Sequence, residues 1–156
     1  MSSTERSLTI DHPIGQVWER LADFAAISAW ADNVDHSCLL RRSVGSPATG
    51  VGAARRVQVG RRALIETVTV WDAPHRLAYG IEGLPPVVKR VQNEWSLTAP
   101  HAGEVQYTVV TVTTTVDCGS RPPQLLVAKL LGRRLATDSE TMLAGLAAAM
   151  KEPSHA

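Results

Sequence analysis

The sequence predicts an α+β fold in which six or seven antiparallel strands form a curved sheet around one long C-terminal helix. Three observations lead to it. The chain opens with a strand, two short helices and a second strand. Its middle is a succession of strand-forming segments separated by turn residues at hairpin spacing, which is typical of an antiparallel meander. Its last segment has the apolar periodicity of a single amphipathic helix of more than about twenty residues.

The opening elements are defined by local signals. The predicted elements are a strand at residues 7–10, a helix at residues 13–22 and a second short helix at residues 23–29. Three bulky apolar residues share one face of the first helix: Val17, Trp18 and Leu21. Pro13 suits the first helical turn, with Asp11 or His12 as the capping residue.

The middle of the chain is predicted to be a sheet. The predicted strands are residues 34–44, 53–59, 62–71, 76–83, 88–98 and 104–116. The segments between them are a loop at 45–52, a turn at Gly60, turns at 72–74 and 99–103, and the ladder-breaking Pro85 and Pro86. So many antiparallel strands cannot lie flat under a single helix, so the sheet must twist and curl.

The last helix opens at Pro122 and Pro123. A helical wheel from Gln124 places seven apolar residues on one side: Val127, Ala128, Leu131, Leu135, Met142, Leu146 and Ala149. The other side carries Lys129, Arg133, Glu140 and Lys151. One apolar face needs one sheet to cover it. A curled sheet and a helix laid across it do not fill all the space between them, which predicts a pocket.

Composition limits the classes of function. The chain has 156 residues and a formal net charge of +1, so we expect one domain over residues 1–156 and no field that gathers nucleic acid. The arginine pairs are interpreted as solvated surface: Arg41-Arg42, Arg55-Arg56, Arg61-Arg62 and Arg133-Arg134. Cys38 and Cys118 lie far apart, there is no export signal, and no apolar run approaches the ~20 residues of a membrane helix. These features predict a reduced, cytoplasmic protein.

Several chemistries lack their sequence motifs. The five histidines show no metal-ligand spacing such as HExxH, and the two cysteines form no CxxC. The sequence also has no G-x-S-x-G elbow, no Walker loop and no dinucleotide fingerprint. We therefore expect neither a metal nor a cofactor.

Strand alternation selects the residues that could contact a ligand. Leu77, Tyr79 and Ile81 share one face of their strand, and Val91, Asn93, Trp95 and Leu97 share one face of the next. The predicted ligand-binding residues are Tyr79, Asn93, Trp95, Ile81, Leu131, Leu135 and Met142. Two interpretations of the Tyr79 hydroxyl and the Asn93 amide stay open: they are satisfied core groups, or they orient a ligand in an apolar cavity.

Glu66 and His36 are the candidate catalytic residues. Both faces of the strand around Glu66 are apolar enough to be the inner one, so alternation alone does not decide where its carboxylate points. An inward carboxylate is either salt-bridged or a candidate acid or base. If Cys38 and Leu40 face inward, so does His36, and a histidine near a carboxylate in an apolar cup suits proton transfer. The alternatives are an exposed glutamate and an exposed or structural histidine.

Five segments, in this order, carry a resemblance to a known superfamily. They are VWERLADF to Trp30, the hairpin start at Gly50, residues 64–85, NEWSL (93–97) and MLAGL (142–146). Together they resemble the SRPBCC or START-like superfamily, with its birch-pollen-allergen-like fold, and within it the polyketide cyclase/dehydrase branch. The resemblance implies the helix-grip fold. Likeness to the more remote plant abscisic-acid receptors would turn Glu66 inward and places His36 where those receptors carry a ligand-binding lysine.

Three functions are compatible with this fold. The first is binding of a small hydrophobic molecule, lipid-, polyketide- or isoprenoid-like, in an apolar cavity between the sheet and the C-terminal helix. The second is a polyketide cyclase/aromatase or dehydratase that uses pocket acid and base residues. The third is an interaction module, in which the sheet or its loops bind a protein or form a homodimer.

Overall fold

The computed structural model describes residues 1–42, 50–100 and 106–151. The strands are β1 (Ser2–Ile10), β2 (His36–Arg41), β3 (Ala54–Val59), β4 (Arg62–Asp72), β5 (Arg76–Glu82), β6 (Arg90–Thr98) and β7 (Thr108–Asp117). The helices are α1 (Ile14–Ala22), a 3₁₀ helix (Phe24–Ala29) and α2 (Pro122–Lys151). The predicted loop 45–52, the turn 99–103 and the ends of two predicted strands (43–44 and 104–105) lie wholly or partly outside the described residues.

The strands form one antiparallel sheet in the order β1-β7-β6-β5-β4-β3-β2. The order follows the chain from β2 to β7, and β1 adds at the far edge beside β7. The 30-residue helix α2 packs closely against β1 and β7. This arrangement confirms the predicted fold class of a seven-stranded sheet gripping a C-terminal helix. Among the described residues no helix is long and apolar enough to cross a membrane.

The two short helices, α1 and the 3₁₀ helix, pack against one side of the core. The predicted face of α1 is buried, with Val17, Trp18 and Leu21 pointing inward. The Trp18 ring meets the Trp71 ring edge-on at a centroid distance of 5.2 Å. The predicted side-chain cap is wrong: Pro13 itself holds the N-cap position, and no side chain caps the helix.

A β-bulge in β4 changes which residues face the core. Val68 pairs with Tyr79 and Val70 pairs with Ala78, so Thr69 is an extra residue in β4. The bulge shifts the side-chain alternation by one position. As a result the inner face of β4 carries Glu66 and Val68 before the bulge and Trp71 after it, a combination that simple alternation does not produce.

The face of α2 toward the sheet is built from small residues in its first half. Ala128, Gly132 and Ala136 are buried there, which lets the helix approach β1 closely. Val127 lies one position off that line and is exposed, as are Leu125, Leu126 and Leu130. The prediction that Val127 belongs to the buried face is therefore wrong, because the helix is rotated to bring its smallest side chains, not its largest, against the sheet.

Candidate functional site

A cavity of about 490 Å³ lies between α2 and the inner face of the sheet. Its walls come from α2, from strands β3 to β6 and from the 3₁₀ helix, and it is partly open to solvent. Its apolar lining includes Ile27, Val57, Leu64, Ile81, Leu135 and Met142. Glu66 and Asn93 lie in its wall, and the less buried charged residues of the lining form its rim: Arg61, Arg62, Arg134 and Asp138.

The structure brings together five of the seven predicted ligand-binding residues. The five that line the cavity are Ile81, Asn93, Leu131, Leu135 and Met142. Tyr79 and Trp95 are not part of the lining, and each is only 1% exposed. Their rings pack edge-on against Phe24 and Trp30, at centroid distances of 5.7 and 5.8 Å. The structure therefore corrects the prediction for Tyr79 and Trp95: they support the wall of the cavity from within the core.

Glu66 points inward and forms a buried ion pair with Arg55. Arg55 Nε donates to Glu66 Oε1 at 2.7 Å, and the two residues are 2% and 6% exposed. Arg55 Nη1 donates to the Phe24 carbonyl oxygen, also at 2.7 Å. The guanidinium carbon lies 3.8 Å from the centre of the Phe24 ring and 4.7 Å from that of Tyr79. The carboxylate is thus neutralised by a cation that aromatic faces hold in place.

The register of the β3–β4 hairpin produces this pair. Gly60, with φ +60°, and Arg61 connect Val59 directly to its partner Arg62. Counting back along both strands pairs Arg55 with Glu66. The interpretation of the Arg55-Arg56 pair as solvated surface is therefore wrong for Arg55, because Arg55 occupies an inner position of β3.

One oxygen of Glu66 remains available to the cavity. Oε1 accepts from Arg55, whereas no described residue donates a hydrogen bond to Oε2. Glu66 lines the cavity, so this second oxygen is a hydrogen-bond acceptor within reach of a bound molecule.

Asn93 belongs to a buried polar network that joins the sheet to α2. Its Oδ1 accepts from Thr114 Oγ1 at 2.6 Å, and the Thr114 hydroxyl lies 3.3 Å from that of Ser139 on α2. Its Nδ2 donates to the Tyr79 hydroxyl oxygen at 3.4 Å, which also accepts from Trp95 Nε1 at 3.2 Å. An amide nitrogen carries two hydrogens, so one of them can still serve a ligand.

The Tyr79 hydroxyl is held neutral. Burial raises the pKa of Tyr79 above its ordinary value, and the nearby Glu66 carboxylate raises it further, against a smaller opposing effect of Arg55. The hydrogen bonds donated by Trp95 and Asn93 lower this pKa, so burial, not hydrogen bonding, keeps the hydroxyl neutral.

His36 is exposed on the outer face of β2 and does not line the cavity. Its neighbour Ser37 faces inward, where its hydroxyl donates to the Ala25 carbonyl oxygen at 2.6 Å. Alternation then places His36 and Cys38 outside. The predicted His36/Glu66 pair is therefore not formed, and the inward orientation on which a role for His36 depended is wrong.

The rim of the cavity carries groups that sequence reasoning missed. Arg61 and Arg62 come from the β3–β4 hairpin, and Arg134 and Asp138 come from one face of α2. Burial raises the pKa of the Asp138 carboxyl above its ordinary value, partly offset by the nearby Arg134. Arg134 and Asp138 are four residues apart, which places them on one side of a helix.

The curved seven-stranded sheet, the long C-terminal helix and the cavity between them define a protein of the helix-grip class. Over residues 1–151 the sequence matches the family described as "Polyketide cyclase / dehydrase and lipid transport", and the chain belongs to that family. The resemblance to the polyketide cyclase/dehydrase branch is thereby confirmed. No curated protein matches the chain in sequence.

Solved structures show the same fold. A START superfamily protein from Mycobacterium smegmatis aligns with a TM-score of 0.70 at 12% identity, covering 96% of this chain and 97% of that one. The Zhui aromatase/cyclase from Streptomyces sp. R1128 aligns with a TM-score of 0.70 at 18% identity, covering 96% and 93%. A Thermobifida fusca protein aligns with a TM-score of 0.69 at 24% identity, covering 99% of both chains. At these identities the likeness shows the fold alone.

Proposed function

We propose that the protein binds a small hydrophobic molecule, lipid-, polyketide- or isoprenoid-like, in the cavity between α2 and the sheet. The observation that carries the proposal is the cavity itself. Its volume of about 490 Å³ falls within the range of ~300–1,000 Å³ that is typical of small-molecule sites. Its wall is mostly apolar, and its charged residues other than Glu66 lie at the rim, which suits a ligand with a hydrophobic body.

Two polar groups would orient the ligand. Glu66 Oε2 offers an acceptor and Asn93 Nδ2 offers a donor, both in the cavity wall. A hydroxyl or carbonyl group on an otherwise apolar molecule could satisfy one or both of them. Because the partners of both residues are fixed in the core, the two groups are preorganised and binding costs little reordering.

A matched pair of substitutions on α2 tests the proposal. Leu135→Trp places a bulky ring in the cavity, whereas Leu130→Trp adds the same ring at a position that is 55% exposed and outside the lining. Binding of a panel of fatty acids, isoprenoids and aromatic polyketides would be measured by native mass spectrometry and titration calorimetry. We expect at least about tenfold weaker binding in Leu135→Trp, equivalent to ~1.4 kcal/mol, and none of this loss in Leu130→Trp. Equal affinities in the two variants would contradict the proposal.

A second candidate function is a polyketide cyclase/aromatase or dehydratase. The observation that favours it is the Glu66 carboxylate, which reaches the cavity with one oxygen unoccupied by protein donors. Glu66 would act on the substrate without a histidine partner, since His36 lies outside. Turnover of an aromatic polyketide precursor that falls steeply in Glu66→Gln while binding persists would support this function. Undiminished turnover in that variant would rule out Glu66 as its acid or base.

A further inference from the structure

The rim of the cavity is strongly cationic. Three arginines come from two separate parts of the fold: Arg61 and Arg62 from the β3–β4 hairpin, and Arg134 from α2. Within the described part of the chain, none of the three takes part in an ion pair. Among the described residues of the lining, Asp138 is the only acidic residue besides the inner Glu66.

The acidic groups of the site do not balance these charges. Glu66 is neutralised by its own buried partner, Arg55. Asp138 offsets only one of the three arginine charges; burial raises the pKa of its carboxyl, and the nearby Arg134 lowers it. The interior of the site is therefore close to neutral and mostly apolar, while the exposed part of its lining, with three arginines against one aspartate, carries excess positive charge.

We infer, on the basis of the proposed function, that the ligand is an amphipathic anion. Its apolar body fills the cavity, and a carboxylate or phosphate group lies at the mouth against Arg61, Arg62 and Arg134. The planar guanidinium fork matches both anions and forms charge-assisted, often bidentate hydrogen bonds with them. All three arginines are exposed, so a bound anion gains a moderate attraction from each of them that salt screens.

Four probes with the same alkyl chain separate charge from hydrophobicity. Dodecanoate and dodecyl phosphate are anionic, dodecanol is neutral and dodecyltrimethylammonium is cationic. Their affinities would be measured by titration calorimetry below the concentrations at which they form micelles. We expect the two anions to bind about tenfold more tightly than dodecanol and the cation to bind most weakly. The preference for the anions should shrink as salt is added.

Substitutions of the rim arginines test whether these residues cause the preference for anions. The double variant Arg61→Gln/Arg62→Gln and the single variant Arg134→Gln should each weaken dodecanoate binding severalfold, up to about tenfold, and leave dodecanol binding unchanged. Arg133→Gln is the matched control, because Arg133 neighbours Arg134 but is not part of the lining. It should leave both affinities unchanged.

Distinct outcomes overturn the inference and the proposed function. Equal affinities for dodecanoate and dodecanol, or an anion preference that survives all the rim substitutions, would overturn the inference and leave the hydrophobic cavity site standing. Anion binding that Leu135→Trp does not weaken would place the anion elsewhere and would also overturn the inference. Failure of all four probes to bind would count against the proposed function itself, and the inference would fail with it.

Discussion

The buried ion pair between Arg55 and Glu66 gives the sharpest test of the structure. Glu66→Gln keeps the shape of the side chain but leaves the Arg55 guanidinium buried without a counter-charge. Removing one partner of a buried pair costs about 3–5 kcal/mol of folding free energy. For a chain of this length each kcal/mol corresponds to about 2–4 °C in the thermal midpoint. We therefore expect the midpoint to fall by about 6–20 °C.

A double variant separates the loss of the ion pair from the cost of leaving one charge buried alone. Arg55→Met/Glu66→Leu removes both charges, and apolar replacement of a buried pair is often close to neutral. Arg55 Nη2 is buried without a hydrogen-bond partner among the described residues, so the native pair is incompletely satisfied and the expectation applies here. Losing the buried Arg55 bond to the Phe24 carbonyl adds a cost of about 1–3 kcal/mol. The double variant should therefore be more stable than Glu66→Gln.

The assay is urea denaturation followed by tryptophan fluorescence, with calorimetry for the midpoints. The exposed pair Arg76–Glu94 is the matched control, because its side chains are 50% and 28% exposed and such pairs contribute under about 1 kcal/mol. A surface substitution typically changes the free energy of unfolding by no more than about 0.5 kcal/mol. If the free energy of unfolding of Glu66→Gln differs from that of the native protein by no more than this, Arg55 and Glu66 are not a desolvated pair. The geometry of the inner wall is then wrong.

Three further predictions concern the core, the rim and the helices. Tyr79→Phe leaves two buried donors without their acceptor and should cost about 1–3 kcal/mol in chemical denaturation; no change would refute the network. Asp138→Asn should raise the thermal midpoint at neutral pH and leave it unchanged at acid pH. The pKa of Asp138 is raised in the folded state, so the native protein loses stability as pH rises through that pKa and the carboxyl ionises. A variant less stable than the native protein at neutral pH would contradict this. Gly145→Ala should destabilise the protein, because a Cβ there would overlap the Trp30 carbonyl oxygen. Gly15→Ala meets open space and should raise the free energy of unfolding by up to about 1 kcal/mol. Similar effects of the two substitutions would refute the close contact between α2 and Trp30.

The fold could be predicted because the two periodicities in the sequence are strong. The inner residues of β6 alternate without exception, from Val91 to Leu97, and the structure buries each of them. The apolar face of α1 likewise depends only on spacing. In both elements one face is apolar and the other polar, so burial leaves a single orientation.

The orientation of β2 could not be predicted, because hydrophobicity does not distinguish its faces. Cys38, Leu39 and Leu40 are all exposed in a six-residue strand. What sets the orientation of β2 is the contact of Ser37 with the 3₁₀ helix, a tertiary contact with no local signature. His36 therefore lies outside for a reason that the strand itself does not contain.

The Arg55–Glu66 pair, in contrast, left a usable signal in the sequence. Once Gly60 is taken as a turn residue, a two-residue turn with Arg61 fixes the register of the hairpin. That register pairs Arg55 with Glu66, so an inward carboxylate and an inward cation are predicted together. An interpretation of all the arginine pairs as surface charge does not use this register, and so does not identify Arg55 as the partner that keeps Glu66 buried.

The cavity itself follows from an asymmetry in α2 that a hydrophobic wheel does not show. Small residues such as Gly132 bring the helix close to β1 and β7 at one side of the sheet. The sheet then curves away through β5, β4 and β3, and Leu131, Leu135 and Met142 extend toward those strands without filling the space. Larger residues at the close contact would lift the helix as a whole, whereas larger residues on the far side would fill the gap. The ligand site is thus positioned by the residues that pack against β1 and sized by those that face β4.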